Sequence, residues 1–347
     1  MKHLRFAVCA VGMGAALGVL AACAGGSQSS GAVSSSFAPL GVHGGLPFAG
    51  RAPSPNFIPG TPVRHRSHGK SWMAPREKPD NLLYIANSYA ATVDVYSWRL
   101  LKQVGSLTGF STPYTMCVDK AQDVYVADFG NGNIVEYAHG GTSPIKTLTQ
   151  TYGPAIGCSV DPTSGNLAVS IFNGSGTVLI YPNGSGTPTA YTANLTSVWP
   201  PSYDSSGNLF VEGYDNVSGA PALNELPAGS STFSKITLPF SIVFPGCVAW
   251  DGKYVAVGDQ GVNTIYQITV SGSTASLQGT TVLGGATDVF QFFVPKFGNG
   301  QVNPQGNRVV GADFGASAAD KWLYPVGGVP TKTITGFTNP EGAVVSK

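Results

Sequence analysis

One short pattern recurs along most of this 347-residue chain, and its spacing limits the fold more than any other property. Alternating apolar runs occur at Leu83-Tyr84-Ile85-Ala86-Asn87, Val124-Tyr125-Val126-Ala127-Asp128, Leu167-Ala168-Val169-Ser170, Leu209-Phe210-Val211-Glu212-Gly213, Val255-Ala256-Val257-Gly258-Asp259 and Val309-Val310-Gly311-Ala312-Asp313. Their last residues are 41, 42, 43, 46 and 54 positions apart. A second apolar run follows each of them, such as Ile134-Val135-Glu136-Tyr137 or Ile265-Tyr266-Gln267-Ile268, and a third comes after a Gly-rich turn, such as Ile145-Lys146-Thr147-Leu148. A segment opened by proline and closed by aspartate precedes, as in Pro113 to Asp119, Pro154 to Asp161 and Pro245 to Asp251. Four β-runs in a period near forty, repeated six times, predict an all-β, six-bladed β-propeller with four-stranded blades.

Composition agrees with short strands and many turns. Gly 46 and Pro 25 leave little room for long helices, and 11% charged residues against the usual 25% or so exclude a coiled coil or a charged disordered tail. The ends of the repeat region complement each other. Pro340-Glu341-Gly342-Ala343-Val344-Val345-Ser346 has the pattern of a blade's opening strand, while 82 to 107 supplies the other three, so the C-terminal strand is expected to join the N-terminal blade and close the ring.

The combination P-x-G-x-x-V-D, a turn, Y-V-A-D, a turn with Asn and an apolar strand resembles the NHL-repeat and gluconolactonase-like six-bladed propellers over about 265 residues. The resemblance implies architecture more than activity, because such propellers host unrelated functions. For the lactonase-like members it implies a divalent metal held in the channel by Glu, Asn and Asp.

Upstream of residue 80 the sequence reads as an address. Lys2 and Arg5 form a basic start, and Phe6 to Ala22 is an uncharged run of the type found in export signals, too short for a stable membrane span. It ends in Leu20-Ala21-Ala22-Cys23, which resembles the lipobox of bacterial lipoproteins and implies lipid attachment at Cys23; Ala22-Cys23-Ala24 also satisfies the rule for ordinary signal cleavage. The expected organisation is a signal peptide over 1–22, a disordered Gly/Ser/Pro-rich linker over 23–79 and the propeller over 80–347. The linker is basic, with Arg51, Arg64, Arg66, Lys70, Arg76 and Lys78 against Glu77, whereas the propeller is acidic, which argues against a nucleic-acid partner. Cys117, Cys158 and Cys247 remain in the propeller, each in an apolar run, and are expected to be buried hydrophobes in a monomer that does not rely on disulfides.

Chemistry is sparse. His139, alone among histidines in the propeller region, lies in a Gly-flanked turn and is expected at the surface, which leaves no imidazoles for zinc or copper and no His base for a Ser-His-Asp relay. Asp128, Asp259 and Asp313, with Asn87, end strands before Gly or Asn and are read as turn residues, since a structural turn repeats and a metal site does not. Asp128-Phe129-Gly130-Asn131-Gly132-Asn133 fails the calcium-loop spacing at Gly130. Aromatic residues are the more suggestive feature. Tyr89, Phe129, Phe172, Tyr214 and Phe314 follow strand ends, and Tyr114, Trp199 and Phe244 precede or open inner strands on the same face, where Glu341 also lies. Tyr89, Tyr114, Phe129, Phe172, Trp199, Tyr214, Phe314 and Glu341 are therefore the candidate ligand-binding rim, with an insertion over 284–300, containing Phe290, Phe292, Phe293 and Phe297, on the same side. The expected function is a lipid-anchored, non-enzymatic envelope module that binds a glycan, peptide or protein without a cofactor. The alternative is a lactonase-like hydrolase using calcium or another divalent metal.

Overall fold

The computed structural model describes residues 69–75, 81–296 and 308–347; Cys23, most of the predicted linker, the signal segment and Phe297 lie outside the described residues. Six antiparallel sheets are arranged as blades. Blade 1 contains β1 (Trp72–Met73), β2 (Leu82–Asn87), β3 (Thr92–Ser97) and β4 (Gln103–Leu107). Blade 2 contains β5 (Pro113–Val118), β6 (Val124–Asp128), β7 (Asn133–Tyr137) and β8 (Pro144–Leu148), and blade 3 β9 (Ala155–Val160), β10 (Leu167–Ile171), β11 (Thr177–Tyr181) and β12 (Thr189–Thr192). Blade 4 is formed by β13 (Leu195–Val198), β14 (Ser202–Tyr203), β15 (Leu209–Asp215), β16 (Pro221–Leu226) and β17 (Ser234–Ile236). Blade 5 has β18 (Pro245–Trp250), β19 (Val255–Asp259), β20 (Thr264–Ser271) and β21 (Thr274–Val282). Blade 6 has β22 (Val289–Phe293), β23 (Arg308–Asp313), β24 (Ala318–Leu323) and β25 (Gly327–Thr335). The final strand, β26 (Pro340–Ser346), returns to blade 1 and pairs with β2 from Leu82↔Ser346 to Asn87↔Pro340. The ring closes as expected, without a free inner edge.

The strong apolar signal of each blade's second strand has a simple origin. Blades pack face to face, so both sides of β2 are buried: Leu82 and Tyr84 join the core shared with blade 2, while Leu83 and Ile85 join the core shared with blade 6. The same alternation sends Tyr125 and Ala127 toward blade 3 and Val124 and Val126 toward blade 1. Burying such a side chain stabilises the fold by about 1.5–3 kcal/mol.

Inner strands approach closely enough to demand glycine. A Cβ on Gly157 would lie 2.6 Å from Pro200 Cα, and one on Gly342 would lie 2.7 Å from Gln291 Oε1. Gln291 of blade 6 reaches over Gly342 to blade 2, donating to Met116 O at 2.7 Å and accepting from Met116 N at 3.2 Å. Thr115 Oγ1 donates to Ile156 O at 2.6 Å and Val248 N to Pro200 O at 3.1 Å, so hydrogen bonds tie neighbouring inner strands together.

Four expectations change. Cys117 and Cys158 are joined in a disulfide between β5 and β9, with Cα atoms 5.6 Å apart, and only Cys247 remains a free, buried thiol among the described residues. The reason is geometric: β5 and β9 start 42 positions apart and the cysteines are 41 apart, so Cys158 sits one place short of the match for Cys117, and strand alternation turns both side chains into the core between blades 2 and 3. The extra length of the last repeat is not at 284–300 as a whole, since 289–293 is the inner strand β22; it falls between β22 and β23, whose facing ends, Phe293 and Arg308, are the ones opposite the aromatic residues. Trp72 and Met73, placed in the linker by composition, add a short strand to the outer edge of blade 1 by pairing with Ser106 and Gly105. His139 keeps its turn but is half-buried, with Nδ1 2.7 Å from Ser346 Oγ on the closing strand.

Candidate functional site: an aromatic channel mouth

Second strands end, and inner strands begin, on one face of the ring. The backbone bonds Phe129 N→Thr112 O, Phe172 N→Pro154 O and Phe314 N→Asp288 O pin the residue after each second strand to the loop leading into the inner strand of the same blade. Buried carboxylates hold that junction. Asp128 accepts from Ser111 N and from Thr112 N at 2.7 Å, Asp259 from Val243 N at 2.8 Å and Phe244 N at 3.1 Å, and Asp313 from Thr287 N at 2.9 Å and Asp288 N at 3.0 Å. Asn87 takes the same part in blade 1, its Oδ1 accepting from Thr338 N at 2.8 Å. These groups are structural, as the repeat implied, but they clasp the preceding loop as well as their own turn. Asn131 Nδ2 also donates to Asp128, which further occupies the oxygens of the loop that fails the calcium spacing.

The clasps bring the aromatic residues together. Tyr114 and Phe129 have ring centroids 5.4 Å apart, Phe129 and Phe172 6.2 Å, Phe172 and Trp199 6.4 Å, Trp199 and Tyr214 5.6 Å, and Trp199 and Phe244 6.1 Å. Phe290 extends the row at 5.1 Å from Tyr114, having come from the inner strand and not from an insertion. The row thus runs from blade 6 to blades 2, 3, 4 and 5, with Ile156 packed among the rings. Most crossings are edge-to-face or tilted, the preferred arrangements for rings with a negative face and a positive edge. Tyr114, Phe129, Trp199 and Phe290 are buried; Phe172, Tyr214 and Phe244 are half-buried. Tyr89 and Phe314 are half-buried, and Tyr89 is close enough to Tyr114 to help raise its phenol.

Acidic groups sit among the rings. Glu341 is buried, accepts from Asn339 Nδ2 at 2.8 Å and is hydrogen-bonded to Tyr114; burial, with the Asp288 charge second, pushes its carboxyl well above the usual range. On the opposite side, Glu212 is fully buried. One oxygen accepts from Gly246 N at 3.2 Å, and burial, reinforced by the Asp259 charge, raises its carboxyl well above the ordinary value. Sequence alone does not single out Glu212 or Asp288, and it gives Phe290 only as part of an insertion over 284–300. Glu212 had a readable signal, because the matching positions in the other blades hold Ala86, Ala127, Ser170, Gly258 and Ala312.

The arrangement suits recognition. Among the described residues there is no group of three or more His, Cys, Asp or Glu placed to hold a metal. The oxygens of Asp128, Asp259 and Asp313 face amide donors, so the donor set does not fit the channel metal that a lactonase-like site requires. His139 lies at the far end of the blade, away from the mouth.

No protein-family model and no curated protein matches the chain. Solved structures do: 1294 chains match, among them one described as "Crystal structure of Nidogen/Laminin Complex", with a TM-score of 0.60 and 12% identity over 77% of this chain and 98% of the other. At that identity the likeness is one of fold, a six-bladed β-propeller.

Proposed function

We propose that the chain is an exported, lipid-anchored propeller of the NHL-repeat or gluconolactonase-like type that works as a non-enzymatic binding module of the cell envelope, with its ligand at the aromatic mouth. The observation that carries this reading is the row of contacting rings from Phe290 to Phe244, gathered at one face and left partly exposed at Phe172, Tyr214 and Phe244. Aliphatic packing alone would close the wedges between blades; rings placed across the channel mouth add flat surface for stacking. The similar structure is described as a complex between two proteins, which supports recognition as a use of this scaffold without indicating the ligand. Export is supported by the sequence ending at Cys23 and by the Cys117–Cys158 disulfide, a bond favoured outside the reducing cytosol.

The test is a screen of envelope glycans and peptides against the wild-type chain and the W199A/Y214A double variant, with thermal melting as the control for folding. Loss of most affinity in a variant that still melts cooperatively supports the mouth. Unchanged affinity, or protection from labelling only on the far face, removes it.

A further inference from the structure

Two side chains at the blade 4 side of the mouth carry polar atoms with no partner. Trp199 Nε1 and Glu212 Oε1 are both shielded from solvent and unbonded. They belong to one locality: Trp199 N donates to Glu212 O at 2.9 Å, the Trp199 ring packs on Phe244, and Glu212 Oε2 accepts from the amide of Gly246, two residues further on. A buried donor or acceptor without a partner is costly, and most native ones are satisfied. The buried aspartates of the neighbouring junctions are satisfied by amides, and the blade repeat places a small residue wherever Glu212 would recur. The fold therefore has no structural requirement for a carboxyl here.

The chemistry of a complementary group follows from the donors. Burial keeps the Glu212 carboxyl protonated well above its ordinary range. Oε2 accepts from Gly246, which leaves Oε1 as the oxygen free to carry the proton of the neutral acid, and in that form Glu212 and Trp199 both offer an X–H. Two neutral donors on residues that face each other across one strand pair suit an uncharged oxygen with two lone pairs. The adjoining, half-buried Tyr214 and Phe244, whose rings cross nearly at right angles, suit the C–H face of a sugar ring better than an extended peptide.

We propose that this part of the mouth is a subsite for the carbonyl oxygen of an acetamido group on an N-acetylated sugar, accepted between the Trp199 indole N–H and the Glu212 carboxyl. The proposal rests on the reading of the mouth as a binding face. Both atoms are shielded from solvent, so entry of the group requires the side chains around them to move.

The full chain is titrated calorimetrically with tri-N-acetylchitotriose and with cellotriose, which has the same ring connectivity and no acetamido groups. The expected result is binding of the acetylated sugar at least tenfold tighter than cellotriose. Trp199→Phe and Glu212→Ala each weaken it about tenfold, the scale of one lost buried hydrogen bond, while Glu212→Gln, which keeps an N–H donor, stays within about twofold. Equal binding of the two sugars, or wild-type affinity in both Trp199→Phe and Glu212→Ala, overturns the proposal; so does a change in melting temperature without a change in affinity, which would mean that the two atoms merely share a trapped water. If tri-N-acetylchitotriose does not bind while a peptide or another glycan binds in a way that W199A/Y214A abolishes, the acetamido subsite fails and the mouth stands. If no ligand depends on the mouth, both fail.

Discussion

Asp128 and Glu212 are both buried in the propeller, yet their surroundings differ. Asp128 receives several backbone and side-chain N–H groups, whereas Glu212 receives one and Glu341 is bonded to Asn339 and Tyr114 beside the Asp288 charge. Burial is the largest influence on all three carboxyls and raises each in the folded state; the hydrogen bonds to Asp128 oppose it, whereas Glu212 and Glu341 stand well above the ordinary 4.5. The folded chain then holds protons that the unfolded chain has released, so these two groups make stability fall as pH rises above that value. A tenfold difference in proton affinity between the folded and unfolded chain corresponds to about 1.4 kcal/mol. Glu212→Gln and Glu341→Gln are expected to flatten this decline, seen as a smaller drop in urea midpoint between pH 5 and pH 8 than in the wild type. A drop as steep as the wild type's in both variants would show that neither carboxyl is held protonated. The aspartate positions were legible in the sequence because they repeat; the environment of Glu212 was not, because it depends on Gly246 from the next blade.

At the scale of elements, the inner strands do the joining. The Cys117–Cys158 bond links β5 to β9 across a sequence separation of 41 residues. On a chain-entropy account, a loop of that length contributes about 4 kcal/mol by restricting the unfolded state. The double variant C117A/C158A should lose stability on that order, measured by denaturant unfolding, and reducing agent should lower the wild-type midpoint while leaving the variant unchanged. If reduction has no effect on the wild type, the link between these strands is absent or without consequence. The sequence contained the clue, a cysteine spacing of 41 that falls one short of the 42-residue interval between the second and third repeats. Counting cysteines and noting their apolar neighbours could not reveal it, because strand neighbours in a propeller are set by the ring and not by chain proximity.

For the whole molecule, closure depends on seven C-terminal residues. β26 pairs along all of β2, and Ala343, Val344 and Val345 are buried in the cores on either side. Deleting 340–346 exposes the inner edge of blade 1 and opens both adjacent wedges, so the melting temperature should fall far more than on deletion of 24–60. Equal melting of the two deletions would contradict the closed ring. The proposed lipid anchor rests on a single position: Cys23→Ser is expected to move the protein from the membrane fraction to the soluble one or to block its processing, and unchanged retention with unchanged processing would refute the anchor.

Periodicity determined the blade number, the strand order within a blade and the face on which the aromatic residues would gather, because each blade is a local β-meander whose turns and alternation are written in consecutive residues. The residues Tyr114, Phe129, Phe172, Trp199 and Tyr214 could be placed on that face for the same reason. What passes between blades was decided by the tertiary structure alone. Gln291 crossing Gly342 to reach Met116, the disulfide between matching inner strands, Phe290 completing the aromatic row and the unpartnered atoms of Trp199 and Glu212 all depend on how far the sheets approach and rotate about the channel. That approach is set by the packing of side chains from separate repeats, and no window of consecutive residues contains it.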